Sequence, residues 1–314
     1  MIAVVGESIV DMVETAPDQF HAIMGGAPAN VAVALARLGV PVSYFGRLSE
    51  DTLGRRLLAR LQEAGVGLDH LITASESTSL ALVSLDGNGR PSYTFYLDGT
   101  ADWQWKATEL PELDTAIRAI HIGSLALAIG PGNMVLEQWI AHIHHQETAL
   151  VSFDLNIRPS VGLLLKAERE RIERLSHISH LIKASDEDLA YCYPTWTPSD
   201  AANHLLSLGA ELVVVTSGAE GATAHRRNRP PIIQAGIQVE VVDTVGAGDA
   251  FCAGLLSGLV IDGALGMPPE SMLQALDDAT LQHILKRAVL VAALTCGRQG
   301  ADPPTAEMLA KAMH

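Results

Sequence analysis

The stretch "VVDTVGAGDAFCAG", Val241 to Gly254, decides how this sequence is read. Gly246, Ala247 and Gly248 stand immediately before Asp249, and small or apolar residues then continue at helical spacing to Val260. The apolar run before them, Gln238 to Val242, reads as a strand, so the pattern predicts strand, glycine turn, helix. In that order several backbone N–H groups point outward at the positive end of a helix, which makes an anion pocket, most often for phosphate. Side chains at Gly246 or Gly248 would block close approach. The aspartate is then the oddity, because a carboxylate beside phosphate repels it unless a cation intervenes or the carboxylate has a task. Taking a proton from an attacking hydroxyl is such a task; complementing the helix dipole is the competing reading of a bare GxGD. The Lys-Ser/Thr ending of a Walker A loop is missing.

Outward from this stretch, short apolar runs recur at Ile2 to Val5, Val42 to Phe45, Ala119 to Ile122, Leu150 to Phe153, Leu181 to Ile182 and Leu212 to Val215. Helical spacing lies between most of them, at Ala29 to Leu38, Thr52 to Ala64, Met134 to His144, Ala167 to Ser176 and Pro198 to Leu208. The alternation predicts an α/β domain with a mainly parallel sheet covered by helices on both faces. Two segments break the rhythm, about 12–23 and 79–105. The second holds "LALVSLDGNGRPSYTFYL", where Asp86-Gly87-Asn88-Gly89 is hairpin-turn chemistry and Tyr93, Phe95 and Leu97 share one side. Together they read as a small sheet projecting as a lid from a single domain spanning 1–314.

The composition bounds the partners. With 36 acidic against 21 basic residues and a formal charge of -15, the chain lacks the clustered cations that nucleic acid requires. Cys192, Cys252 and Cys296 lie far apart with no CxxC spacing, which suits buried thiols of a reducing compartment. The first Lys or Arg is Arg37, and no apolar run reaches the roughly 18 residues of a membrane span, so a cytoplasmic protein without a membrane partner is expected.

A second constellation, "GGAPANVAVALARLG" from Gly25 to Gly39, offers bare backbone at Gly25 and Gly26, a proline suited to a first turn, and the Asn30 amide at a helix entrance. Tight packing of an Ala-rich helix accounts for the stretch after it, but less well for Gly25, Gly26 and Asn30. Upstream, Asp11 sits among apolar residues, where a buried carboxylate needs partners such as sugar hydroxyls; a surface turn is the alternative.

Gly25-Gly26 with Asn30, and Asp243 to Asp249, closely resemble the two signatures of the ribokinase-like (PfkB) carbohydrate kinases. The resemblance extends along nearly the whole chain, through "VVGESIVDMV", "FDLNIR", "KASDEDL", "VVTSGAEGA" and "AALTCGRQGADPPT". It implies a three-layer αβα sandwich with a β-lid, and ATP-dependent phosphorylation of a primary hydroxyl; the pattern is most similar to the fructose-phosphorylating members. By this resemblance Asp249 is the catalytic base and the N–H groups of Gly246, Ala247 and Gly248 form the anion hole. Asp11, Gly25, Gly26, Asn30, the lid residue Phe95, Asn156 and Arg158 line the sugar and transfer cleft, while Lys183, Thr216, Gly218 and Gly221 follow the nucleotide. ATP with Mg²⁺ is the implied cofactor, Asp243 matches a residue that helps hold a monovalent cation such as K⁺, and the lid offers a homodimer surface through Tyr93, Phe95 and Leu97.

Two departures matter. The family's Asn-x-x-Glu, linked to Mg²⁺, stands here as Ser185-Asp186-Glu187-Asp188, leaving Asp188 to reach the ion through water. Leu97 stands where relatives acting on acidic sugars carry Arg, so a neutral sugar is expected. Ribose, other ketoses, nucleosides and 2-keto-3-deoxygluconate share the same machinery, and a weakened kinase serving as a sugar or nucleotide sensor is the reading from another class. A dinucleotide-binding dehydrogenase fails because the opening "VVGESIVD" lacks GxGxxG.

Overall fold

In the computed structural model of the chain, which describes residues 1–16, 18–85, 91–263, 265 and 268–313, the apolar run Ile2–Val5 forms strand β1 inside the main sheet. Its side chains part by alternation: Ile2 and Val4 enter one hydrophobic cluster, Ala3 and Val5 another, so both faces of the strand are dry. Among the described residues this sheet has eight strands, in the order β14 (Ile232–Ala235), β13 (Gly221–Arg226), β12 (Leu212–Thr216), β11 (Leu181–Ser185), β10 (Leu150–Asp154), β9 (Ala119–Gly123), β1 and β4 (Val42–Phe45). Pairing is parallel from β4 to β12, and β13 and β14 extend the sheet antiparallel.

Helices α1 (Ala27–Arg37), α2 (Thr52–Glu63), α7 (Ala247–Ile261), α8 (Pro269–Ala275), α9 (Asp278–Cys296) and α10 (Ala306–Met313) pack on the side of Ile2 and Val4. On the other side lie α3 (Asn133–Gln146), α4 (Leu165–Ser176), α5 (Asp186–Cys192) and α6 (Pro198–Leu208). Helix α7 is apolar all round because it is enclosed by α1, α9 and the sheet. Its glycines let α9 approach: a Cβ on Gly254 would stand 2.7 Å from Ala288 Cα, and one on Gly258 3.0 Å from Ile284 Cγ2. Each leucine it buries, such as Leu255, Leu256 and Leu259, contributes about 1.5–3 kcal/mol of transfer free energy. That burial fixes the helix and with it the first turn, where Asp249 sits.

The lid is a four-stranded sheet in the order β3 (Gln19–Met24), β2 (Val10–Ala16), β7 (Leu80–Leu85) and β8 (Pro91–Tyr96). A short parallel pair, β5 (Arg47–Ser49) and β6 (Ile72–Ala74), lies apart from it. Where lid meets core, the buried Asp102 carboxyl accepts from Ser8 N at 2.8 Å and Ser79 Oγ at 2.5 Å, joining the entrances of β2 and β7. Burial raises its pKa to about 7.

Three expectations change. Gln238 to Val242 is not a strand: Val241 and Val242 are 61% and 60% exposed, and the Val242 N–H donates to the Cys296 carbonyl at the end of α9 instead of to a sheet edge. The lid begins at Val10 and ends at Tyr96, while Leu97, Ala101, Trp103 and Trp105 turn back into the core. Tyr93, Phe95 and Leu97 do share one side, lining a single cavity, but Leu97 is buried at 9% exposure and so is withdrawn from the outer contact surface expected of the three. The Asp86 to Gly89 turn lies outside the described residues.

Candidate active site

The glycines before Asp249 serve different ends. Gly246 caps α7 at φ 75°, and a Cβ there would lie 2.6 Å from the Ala301 Cβ, so both conformation and packing exclude a side chain. A Cβ on Gly248 would instead meet only the Lys183 Nζ, at 3.3 Å, and would otherwise project into open space. Among the described residues the N–H groups of Gly246 and Gly248 meet no acceptor, whereas that of Ala247 donates to the Thr244 carbonyl at 3.2 Å. The result is a bare, electropositive helix end beside an ammonium group, a shape and charge that suit a phosphate.

Asp249 is buried directly behind this turn. Its Oδ2 accepts from Asn30 Nδ2 at 2.8 Å, and burial raises its pKa to about 6, against the pull of Asn30, Arg158 and Lys183. Lys183, on β11, donates to the buried Asp154 at the end of β10 at 3.1 Å. Burial works against the Lys183 charge, but Asp154 more than offsets this and holds it protonated. Cys252, one turn along α7, donates to the same Asp154 carboxylate at 3.4 Å.

The lid supplies a second carboxylate. Asp11, on β2, has its pKa raised to about 6 by burial, with Arg158 acting in the opposite sense. A Cβ on Gly25 would lie 2.7 Å from Asp11 Oδ2, so the bare Gly25 makes room for that carboxylate. A Cβ on Gly26 would fall 2.6 Å from the Glu7 carbonyl, where two chain segments cross. Arg158 is exposed and exerts its charge on both Asp11 and Asp249; Asn156, two residues earlier, has φ 36°. Phe95 lines a cavity of about 830 Å³ together with Tyr93, Leu97, Gln104, Ile129 and Val161.

Thr216 ends β12 and donates from Oγ1 to the Ala184 carbonyl at 3.4 Å, and Gly218 has nothing within 4 Å of its Cβ position. Gly221 is different, because a side chain there would strike the backbone of Gln234 to Gly236, which gives this glycine a packing role between β13 and β14. Both oxygens of Asp188 already accept backbone N–H groups, from Ile157 and Ser185, each at 2.9 Å. Asp243 likewise takes Val245 N at 3.0 Å and Gly300 N at 2.8 Å, pinning the α7 turn to the segment after α9. Among the described residues, no cluster of three or more His, Cys, Asp or Glu could hold a metal ion.

Sequence patterning passed over Arg60 and Asp154. Arg60 lies on α2 between the buried Leu57 and Leu61, so a cation at an apolar phase of the helix was its signal. Its Nη2 donates to Asn30 Oδ1 at 2.8 Å. Asp154 closes a fully buried strand, and its partner Lys183 is 29 residues away, beyond any local pattern.

Residues 1–308 match the family model described as pfkB family carbohydrate kinase. A fructokinase of Rhizobium leguminosarum bv. trifolii is 34% identical over 287 residues, 90% of this chain and 86% of that protein. Among solved structures, the fructokinase of Vibrio cholerae O395 in its fructose-, ADP- and calcium-bound form superposes with a TM-score of 0.82 at 30% identity, covering 98% of this chain and 95% of that one. The Salmonella enterica aminoimidazole riboside kinase, complexed with aminoimidazole riboside and an ATP analogue, gives 0.82 at 26% identity and covers 100% and 99%.

Proposed function

The chain belongs to the pfkB family of carbohydrate kinases, and on that premise we propose that it transfers the γ-phosphoryl group of ATP to a primary hydroxyl of fructose. It is an ATP-dependent sugar kinase with a ribokinase-like fold. The observation that carries the residue roles is the juxtaposition of buried Asp249, free N–H groups at Gly246 and Gly248, and the Lys183 ammonium at one end of α7.

In this reading Asp249 accepts the hydroxyl proton, and because its pKa is about 6 it is ionised at neutral pH yet basic enough to receive that proton. The N–H groups of Gly246 and Gly248 hold the phosphoryl oxygens, the Ala247 N–H being engaged with Thr244, and Lys183 neutralises charge developing there. Asp11 and Asn156 bind sugar hydroxyls, Gly25 and Gly26 keep their approach open, and Arg158 closes the electrostatic ring. Phe95 covers the sugar from the lid. Thr216 and Gly218 border the nucleotide. Mg²⁺, when bound, would supply charge neutralisation on the phosphates, and Asp188, whose oxygens are engaged by Ile157 and Ser185, would reach it only through water. A monovalent cation, K⁺, would lie at the Asp243 loop, where the carboxylate, its oxygens engaged by Val245 N and Gly300 N, would order the loop and balance the charge. The opposite lid face, where Phe20 and Tyr96 are exposed, carries a homodimer contact.

A nucleoside acceptor is the second reading, favoured by the likeness over the whole chain to the Salmonella enterica aminoimidazole riboside kinase. Phosphorylation of a panel of ketoses, aldoses, nucleosides and keto-sugar acids with Mg-ATP tests both. Fructose should give the highest kcat/KM, and a nucleoside preferred over it would overturn the first reading.

A further inference from the structure

Arg60 stands behind Asn30 in a way that the reaction chemistry alone does not require. Its guanidinium reaches from α2 to two points: Asn30 Oδ1 at 2.8 Å and the Ala301 carbonyl at 3.4 Å. Ala301 is the residue packed against Gly246, so one cation touches both the residue that holds Asp249 and the support of the phosphate turn. We propose that Arg60 is a positioning residue for the phosphoryl transfer, fixing the Asn30 amide so that its nitrogen faces Asp249. The proposal rests on Asp249 being the catalytic base.

The argument is one of donors and acceptors. Guanidinium donates only, so the amide oxygen must face Arg60 and the amide nitrogen must face Asp249. Ionised Asp249 accepts that N–H. Protonated Asp249 would need an acceptor, and the one side-chain oxygen of Asn30 is already engaged with Arg60. Arg60 thereby withholds from the protonated acid the hydrogen bond that a turned amide would offer, and it favours the carboxylate that does the chemistry. Its charge acts in the same sense, since Arg60 and Asp249 attract. The other charged or titratable groups around Asp249 are Asp154, which opposes ionisation, Arg158 and Lys183, which favour it, and Cys252 on its own helix.

Removal of the donor should therefore move the acidic limb of the kcat/KM profile, not merely lower its plateau. Arg60→Met keeps the apolar stem and deletes the guanidinium; its limb should rise by about one pH unit, a tenfold loss of activity below the limb. Arg60→Lys restores a donor and a charge and should bring the limb most of the way back. In an Asn30→Ala background, Arg60→Met should shift the limb by less than it does in the native chain. Circular dichroism melts accompany each variant. A limb unmoved in Arg60→Met, or moved equally in Arg60→Lys, overturns the proposal; if Arg60→Met does not fold, the Arg60→Lys profile against Asn30→Ala decides by the same comparison, since a lysine variant as displaced as Asn30→Ala also overturns it. Asp249→Asn separates the two layers of the argument: retained turnover there refutes the base, whereas lost turnover with an unmoved Arg60→Met limb refutes Arg60 alone.

Discussion

Two carboxylates of this chain end with the same pKa, about 6, for the same first cause, burial, yet their surroundings are opposite. Asp249 belongs to the core wall of the cleft and is tied through Asn30 to Arg60. Asp11 belongs to the lid wall, and among the described residues no donor reaches its oxygens; Arg158 acts on it only through space. A buried acid with its hydrogen bonds made is a positioned reagent, while one without them is a binding group whose partners arrive with the ligand. In the function proposed above, the core wall is thus prebuilt and the lid wall awaits the substrate.

The hardest test of that contrast is at the phosphate turn. Gly248→Val should cut kcat by about 10²- to 10³-fold with the melting temperature nearly unchanged, because the new side chain points at Lys183 and the open cleft. Gly246→Val, by contrast, should fail in folding, since its side chain meets Ala301. Equal effects of the two on stability would break the distinction between them. Next, Asp249→Asn should lower kcat by roughly 10²-fold with ATP affinity preserved, measured by steady-state kinetics and nucleotide titration. Asp11→Asn should act mainly on sugar KM, raising it by about tenfold, the scale of one lost charged hydrogen bond. A kcat loss at Asp11 as deep as at Asp249 would erase the difference between reagent and binding group.

Stability offers a gentler measure. Both acids have folded pKa values above the ordinary carboxylate value, so between about pH 4 and pH 6 the folded chain binds more protons than the unfolded one. Their contribution to stability therefore falls as pH rises through that window and stays low above it. Asp11→Asn should melt above the native protein at about pH 7.5, above that window, and close to it at about pH 4, its lower edge; a gain at pH 4 alone would contradict the sign. Smallest of all, Tyr96→Ser on the outer lid face should weaken dimerisation, read by light scattering, and change kcat/KM by no more than about threefold.

Leu97 shows where reading by local pattern stops. Strand alternation places it on the side of Phe95, and the two do line one cavity, but β8 ends at Tyr96 and Leu97 is buried at 9% exposure, so it does not belong to the lid surface. Gln238 to Val242 fails similarly: its composition suits a strand, but a strand also needs a neighbour's free edge, and this segment finds the end of α9. Asp188 is placed near Mg²⁺ by sequence position alone; that its oxygens close a capping box and clamp Ile157, leaving any reach to the ion to water, is visible only in the fold.

What the sequence determined by itself was everything carried by short-range chemistry: the alternation of buried strands and helices, the GAGD turn before an apolar helix, Asn30 at the entrance of α1, and the lid as a break in the rhythm. Each depends on residues within one element or one turn of each other. Tertiary structure alone decided that Arg60 stands behind Asn30, that Asp154 pairs with Lys183, that Ala301 closes on Gly246, and which lid face looks inward. The first two join residues 30 and 29 positions apart, and Arg60 also reaches the Ala301 carbonyl across 241 positions. Periodicity specifies which side of an element is buried, but the partner met on that side is set by the order and twist of the sheet that brings the elements together.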